Sequence, residues 1–314
     1  MIPTFPKFKK IELSDFLDIQ KMIEPYKPYS DFLFSSMYSW DVNGTFEIAQ
    51  LQNNLIVKFK DYEDDTHFYS LIGSNKIDKV LIKLFTQRKD VGLTTQLKLI
   101  PEDTRQLILD KSHLFDIYED ADNFDYVISI SEWAKLEGSK YFNKRRTIKK
   151  LLNKHILEFK VLDLQEDSVK QEIITLFNEW AERGERSQLQ ETKNELLAIK
   201  RLLHTSAVKL PSIVGFGVLI NERLEGFAIC DMLEKNYVYG LFEKANNTYQ
   251  GIYEFLFHSM AGYFSEKGFQ HFNIAQDMGI PGLREKKISY KPEIMLKKYT
   301  VTKKNNQPLD FTQV

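Results

Sequence analysis

The sequence predicts an α+β layered protein in which one architecture occurs twice, each copy a mixed, mostly antiparallel sheet flanked by helices. Three observations predict it. The chain has 314 residues, enough for two domains of ordinary size. Its 43% hydrophobic and 28% charged residues match an ordinary globular composition with a substantial core. The same order of patterns (helices, a run of short alternating strands, a helix, further strands) recurs in each half.

The elements follow in order. Helical periodicity runs over Leu13–Ile23, behind a Ser14-Asp15 start signal, and over Asp31–Trp40. Alternating strands are predicted over Thr45–Gln50, Leu55–Phe59 and His67–Ile72, with Asn53-Asn54 as the first turn. A helix over Lys76–Gln87, a strand over Thr95–Ile100 and a helix opened by Pro101 over Glu102–Asp110 come next. Strands over Phe115–Glu119 and Asp125–Ile130 close the first half. The second half opens on one long helix, Ser131–Asn153. A strand over Leu157–Leu164 and helices over Ser168–Arg183 and Glu191–Leu203 lead to three strands, Ser212–Ile220, Arg223–Met232 and Asn236–Glu243, with Asn221-Glu222 as a tight turn. A helix over Gly251–Lys267, a strand over Phe272–Ile274, a short helix over Leu283–Lys287 and a strand over Met295–Thr302 end the chain. The domain boundary is placed near Ile130, giving domains 1–130 and 131–314.

Charge and cysteine usage exclude several classes. Lysine and arginine total 43 against 44 acidic residues, so the whole surface does not suit a nucleic-acid coat. A single cysteine, Cys230, allows neither an internal disulfide nor a cysteine metal cluster. The six histidines show no metal-ligand spacing, so no metal site is expected. No GxSxG elbow or P-loop occurs. The start lacks a signal-peptide segment, and no apolar run approaches the roughly 20 residues of a membrane helix. The expected location is the cytoplasm, including the inner face of the membrane.

Three stretches could carry chemistry. Lys140-Tyr141-Phe142-Asn143-Lys144-Arg145-Arg146, continuing to Lys149, Lys150 and Lys154, is basic without an acidic interruption. On one helix, Lys140, Lys144 and Arg145 would share a side beside Tyr141, over a buried stripe of Phe142, Ile148, Leu151 and Leu152. Such a face suits a phosphate backbone, a lipid headgroup or a pyrophosphate; the plainer alternative is a solvated helix face. In the second stretch, residues 273–292, a strand ends in a Gly/Pro-rich turn where α/β enzymes place functional groups. Asp277 there could bind an amine or orient a nucleophile, Arg284 and Lys287 could hold a phosphate or carboxylate, and Tyr290 could supply a hydroxyl. Equally, Asp277 could cap the short helix and pair with Arg284. In the third, residues 243–253, a strand turns into a helix at Gly251, and the free amides of a helix start suit an anion.

Together these stretches resemble a bacterial family related to the catalytic C-terminal domain of phosphatidylglycerol lysyltransferase, over nearly the whole chain. The family's Ser-x-Leu-Tyr-x-Trp segment resembles Ser35–Trp40, with Met37 in place of leucine. Its Leu-x-Gly-Lys-Lys-Tyr-x-Lys-Lys-Arg segment resembles Leu136–Arg145, and its Glu-Lys-Ala loop is Glu243-Lys244-Ala245. Its long signature is matched by Asn273, Asp277, Gly279, Gly282, Leu283, Arg284, Lys287, Ser289, Tyr290 and Pro292.

The resemblance implies two tandem GNAT-like domains of the acyl-CoA N-acyltransferase type. It implies an aminoacyl-tRNA donor and, in the lipid enzymes, a phosphatidylglycerol hydroxyl as acceptor. It places Asp277 on the amino group of the donor, and Lys140, Lys144, Arg145 and Arg284 on tRNA or lipid phosphates. Glu243 and Asn273 join Tyr141 and Lys287 as substrate-binding candidates, and Asp277 and Tyr290 are the catalytic candidates. The membrane-spanning domain of the lipid enzymes has no counterpart in these residues. In coenzyme-A acetyltransferases the loop before the corresponding helix reads Q/R-x-x-G-x-G/A. Asn246, Tyr249 and Gly251 stand at those positions, so two of three fail. Three readings stay open: an aminoacyl-tRNA-dependent transferase, an acyl-CoA N-acyltransferase, and a non-catalytic protein that binds tRNA or an anionic headgroup. No tightly bound cofactor is expected; aminoacyl-tRNA or acyl-CoA would be a co-substrate.

Overall fold

The computed structural model describes residues 1–60, 66–86, 93–108, 114–205 and 210–304. The chain divides into two compact units. The first holds Met1–Tyr126, Gln276–Ser289 and the stretch from Met295 onward; the second holds Val127–Ala275 and Tyr290–Ile294.

The first unit opens with β1 (Lys9–Lys10), α1 (Phe16–Ile23) and α2 (Phe34–Trp40). A capping box precedes α1: the buried Asp15 carboxylate accepts from the Glu12 N–H at 3.0 Å and from Lys9 Nζ at 2.9 Å. A meander of β2 (Glu47–Leu51), β3 (Asn54–Lys60) and β4 (His67–Ile72) follows, then α3 (Ile77–Thr86), β5 (Leu93–Pro101), α4 (Glu102–Gln106) and β6 (Phe115–Glu119). The β2–β3 turn falls one residue earlier than the sequence suggests, on Gln52 and Asn53, both at positive φ. Asn54 is buried instead, and its side-chain amide donates to Leu51 O and Asn75 O at 2.8 Å each. The α3 stripe Ile77, Val80, Leu81 and Leu84 packs with Leu71, Leu97 and Val301 of the sheet.

The chain continues through β7 (Asp125–Ser129), α5 (Ile130–Lys135), α6 (Phe142–Leu152), β8 (Leu157–Leu162), α7 (Asp167–Arg183) and α8 (Gln190–Leu203). The hairpin strands β9 (Ile213–Ile220) and β10 (Arg223–Met232) are joined through Asn221 and Glu222, both left-handed, at the expected turn. Then come β11 (Tyr237–Ala245), α9 (Ile252–Glu266), β12 (His271–Asn273), α10 (Pro281–Ser289), β13 (Ile294–Leu296) and β14 (Lys298–Lys303). The core of the second unit sets Leu256, Phe257, Met260 and Phe264 of α9 and Trp133 of α5 against Phe216, Val218 and Phe272 of the sheet.

Each unit holds a sheet of seven strands among the described residues, in the orders β1-β2-β3-β4-β5-β14-β6 and β13-β7-β12-β11-β10-β9-β8. Among the described residues, β4–β5 in the first and β11–β12 in the second pair in parallel, and most other neighbours are antiparallel. This is the α+β layering that the sequence predicts. In each sheet the strand next to one edge comes from a remote stretch of chain. β14 stands between β5 and β6, with Tyr299 opposite both Ile100 and Glu119. β7 stands between β12 and β13, with Ile128 opposite Phe272.

Three expectations need correction. A single contiguous boundary near 130 does not describe the units, because β14 and α10 return to the first unit. The expected strand 295–302 is two strands in two sheets, β13 and β14. The expected helix 131–153 is broken: Leu136 ends α5 in the left-handed region at φ 51°, and Gly138 follows at φ 79°. The expected helix ends at Gln87 and Asp110 lie outside the described residues.

Candidate functional site

The expected site residues fall into two groups, one in each unit. In the second unit the break at Gly138 separates Lys140 from α6, so Lys140, Lys144 and Arg145 do not share a helix side. Lys140 sits in a 3-10 turn (Ser139–Tyr141) and holds both Glu132 oxygens, at 2.6 and 2.7 Å. The buried Tyr141 donates to the same carboxylate at 2.9 Å. That bond and burial push the Tyr141 hydroxyl above its ordinary range, burial contributing most. Arg145 donates to the carbonyls of Leu136 and Gly138, at 2.8 Å for Gly138, and so closes the end of α5.

Lys144 turns inward. Its ammonium lies 3.2 Å from Glu254 Oε1 and over the rings of Tyr290 (4.7 Å) and Trp133 (5.7 Å). Trp133 stacks on Tyr290 at 4.8 Å, and its indole N–H donates to the Tyr290 carbonyl at 2.7 Å. Tyr290 is 3% exposed, and its hydroxyl has no hydrogen-bond partner among the described residues. Burial, with the nearby Glu243 and Glu254 carboxylates, raises its pKa well above the usual tyrosine value.

The outward face of α6 carries Arg145, Arg146, Lys149 and Lys150, with Lys154 just beyond, all exposed. The expected buried stripe is only half right. Ile148 and Leu151 are buried, but Phe142 is 57% exposed and Leu152 48%. The inward side of the helix is occupied instead by Tyr141, Lys144 and Thr147.

At the start of α9, Gly251 has φ 99°, and a Cβ there would stand 2.8 Å from Thr147 Cγ2 and 3.1 Å from the Thr147 carbonyl oxygen. The backbone of α6 therefore lies against the turn where a coenzyme-A pyrophosphate would sit. The loop amides are also in use: the Thr248 N–H and hydroxyl both donate to Asn246 Oδ1 at 3.1 and 2.8 Å, and Ile252 N–H donates to Tyr249 O. Asn273, fully buried at the end of β12, accepts from the Ala275 N–H at 2.8 Å and shapes the turn after the strand. Glu243 is half-buried on β11.

The first unit holds Asp277, Arg284 and Lys287. The Asp277 carboxylate is completely buried. Oδ2 accepts from Tyr126 at 2.5 Å and Arg284 Nε at 2.8 Å; Oδ1 accepts from the Gly279 N–H and Arg284 Nη2, both at 2.8 Å. Burial raises its pKa, but these donors outweigh burial and hold the carboxyl below the usual carboxylate range. Arg284 reaches on to Asp122, which also accepts the Met278 N–H through its carbonyl. The pair with Arg284 is thus the arrangement present, and an ionised carboxylate with four donors has little capacity left to take a proton. Lys287 is buried, its ammonium 6.0 Å from the Tyr126 ring centroid. Ala275, Met278 and Gly279 all have positive φ, so the loop is strained at two non-glycine positions.

A buried ionic network in the same unit carries no sequence signal. Lys298 Nζ contacts Asp125 Oδ1 at 2.8 Å and also Asp31, with all three side chains nearly inaccessible. Asp125 accepts from Ser30 N–H and Oγ at 2.7 and 2.6 Å. Burial raises the Asp31 pKa, against the pull of Lys298. Among the described residues no cluster of three His, Cys, Asp or Glu side chains could hold a metal ion, and no helix is long and apolar enough to cross a membrane.

Comparison with known proteins adds to this geometry. The family described as phosphatidylglycerol lysyltransferase, C-terminal, matches residues 24–302. No curated protein matches the chain. A conserved protein of unknown function from Bacteroides thetaiotaomicron is similar over 97% of this chain and 100% of its own, with 25% identity and a TM-score of 0.82. L-PGS from Bacillus licheniformis is similar over 95% of this chain and 94% of its own, with 15% identity and a TM-score of 0.63. FemX covers 95% and 98% respectively, with 10% identity and a TM-score of 0.58. The last two identities speak for the fold alone, and that fold is the tandem GNAT-like arrangement expected from the sequence.

Proposed function

The chain belongs to the phosphatidylglycerol lysyltransferase C-terminal domain family, and on that premise we propose that it transfers an aminoacyl group from aminoacyl-tRNA to an amine or hydroxyl acceptor. The observation that carries the choice of donor is the pairing of α6 with the start of α9. One side of α6 offers the exposed Arg146, Lys149 and Lys150 with no acid on the helix, which suits a phosphate backbone. The other side packs Thr147 against Gly251, which disfavours a coenzyme-A pyrophosphate there.

In this reading the acceptor amine or hydroxyl attacks the ester carbonyl directly, the ribose oxygen of the tRNA leaves and takes up the acceptor's proton, and no covalent enzyme intermediate forms. Positioning contributes most, and polar groups stabilise the developing oxyanion. Asp277 acts as a positioning residue that fixes the loop and Arg284. Lys140 and Arg145 brace the approach to α6, and phosphate contacts fall to Arg146, Lys149 and Lys150. Arg284 stays paired with Asp277, and Asn273 shapes the turn after β12. The work is cytoplasmic, at the inner membrane face where the acceptor is a lipid headgroup.

The test is turnover of bulk tRNA charged with labelled amino acids, in the presence of amine and hydroxyl acceptors. Acceptor-dependent loss of the ester is expected, reduced in an Arg146→Ala/Lys149→Ala/Lys150→Ala variant. Consumption of acyl-CoA with charged tRNA left intact would overturn the reading. So would tight binding of charged tRNA without loss of its ester.

A further inference from the structure

Four strands stand at the edges of the two sheets, and one of them differs from the rest. β1 and β13 are two and three residues long. β6 has five residues, with Asp116 and Glu119 and no base. β8 has six, Leu157–Leu162; it pairs with β9 in one unbroken register and has no strand on its other side among the described residues. Alternate residues of such a strand turn their N–H and C=O groups outward, ready to pair. No proline, glycine or bulge blunts this edge.

The side chains of β8 have a symmetry that pairing with β9 does not require. Around Phe159 the order is apolar, acid, aromatic, base, apolar: Leu157, Glu158, Phe159, Lys160, Val161. Leu157, Phe159 and Val161 share the α9 face of the sheet, where Phe159 stacks on Phe216 at 5.5 Å. Val161 on that face is nevertheless 52% exposed. Glu158 and Lys160 share the opposite face, 3.0 Å apart, with 57% and 47% of their side chains exposed. In an antiparallel pair with a twofold axis at Phe159, Glu158 of each copy faces Lys160 of the other, and Leu157 of each faces Val161 of the other. Continued one residue beyond the strand, the same register sets Ile156 of the second copy, 89% exposed in the single chain, opposite Leu162. Leu162 lines an apolar cavity of about 200 Å³ with Val161, Leu164, Leu202 and Ile213.

We propose that β8 is the edge through which two copies of this chain pair, antiparallel about a twofold axis at Phe159, so that the two β8-bearing sheets become one continuous sheet. The outward backbone groups of each β8 then bond the other copy. The two Glu158–Lys160 pairs select a second copy in this register, and Val161 and the cavity beside Leu162 are covered. The contact is isologous and uses up both edges, so the assembly closes at two copies. It does not depend on the proposed function.

The experiment is sedimentation velocity of the full chain across a concentration series, beside Glu158→Lys, Lys160→Glu and the exchanged double variant Glu158→Lys/Lys160→Glu. The parent is expected to reach twice the chain mass with rising concentration and to form nothing larger. Each single variant sets like charges opposite each other at two places, and should self-associate about tenfold or more weakly. The double variant restores opposite charges and should regain the dimer. An equimolar mixture of the two single variants should form a mixed dimer, because the acids of one then face the bases of the other; that recovery also shows that both variants are folded. A parent that stays monomeric at every concentration would overturn the proposal. So would single variants that dimerise like the parent, or a mixture that dimerises no better than its components.

Discussion

At Asp277 four donors converge on one buried carboxylate, which makes its protonation state a matter of stability. Its folded pKa lies below the ordinary 3.8. The carboxylate therefore stabilises the fold above the unfolded value near 4, and that contribution is lost as pH falls through the folded value. Asp277→Asn should cost about 1–3 kcal/mol at pH 7, because an amide N–H₂ would face donors, and the difference from the parent should shrink at a pH below the folded value. Urea unfolding at the two pH values checks this. Lys298→Met would leave the Asp31 and Asp125 carboxylates facing each other without their ammonium, at a cost of about 3–5 kcal/mol in the same measurement. The link between Asp277 and Arg284 is legible in the sequence as a seven-residue spacing from the loop into α10. Tyr126, 151 residues before its partner, and Lys298, 173 residues after Asp125, carry no local pattern at all.

Elements were legible where their own residues decide them and not where a remote contact does. The Asn221-Glu222 turn and the α3 and α9 helices follow from local chemistry and apolar spacing. The break between α5 and α6 does not, because basic and polar residues on both sides of Gly138 keep a helix-compatible pattern. It is stabilised by Arg145 donating to the Leu136 and Gly138 carbonyls just past α5 and by burial of Leu136 and Tyr141. The contact of α6 with α9 is likewise invisible in sequence, although Gly251 marks it. Gly251→Ala should destabilise the protein by about 1–3 kcal/mol, combining a left-handed backbone with a clash against Thr147. Gly138→Ala, with open space around its Cβ, should cost only the backbone part, about 1–3 kcal/mol, because φ 79° with ψ 174° is a conformation that almost only glycine adopts. Comparative thermal melts of the two variants separate the effects.

For the whole molecule, the repeat of one architecture was legible from element order, but the division of the chain was not. β14 supplies Tyr299 and Val301 to the core of the first unit and Lys298 to its ionic network, while β7 fills the corresponding place in the second sheet. Neither 1–130 nor 131–314 contains a complete sheet. Each fragment expressed alone should fail to show a cooperative thermal transition, because an open sheet loses core side chains and exposes an unpaired edge. A cooperative melt of 1–130 close to that of the intact chain would contradict this account of the units.

The most direct test of the central claim is the binding of charged tRNA by the intact protein across a salt series, beside the Arg146→Ala/Lys149→Ala/Lys150→Ala variant. The account predicts binding that weakens steeply with salt, and a log–log slope shallower by about 2–3 in the variant, one counterion or slightly less for each lost phosphate contact. Equal affinity and slope for the two proteins, or no binding at low salt, would contradict it.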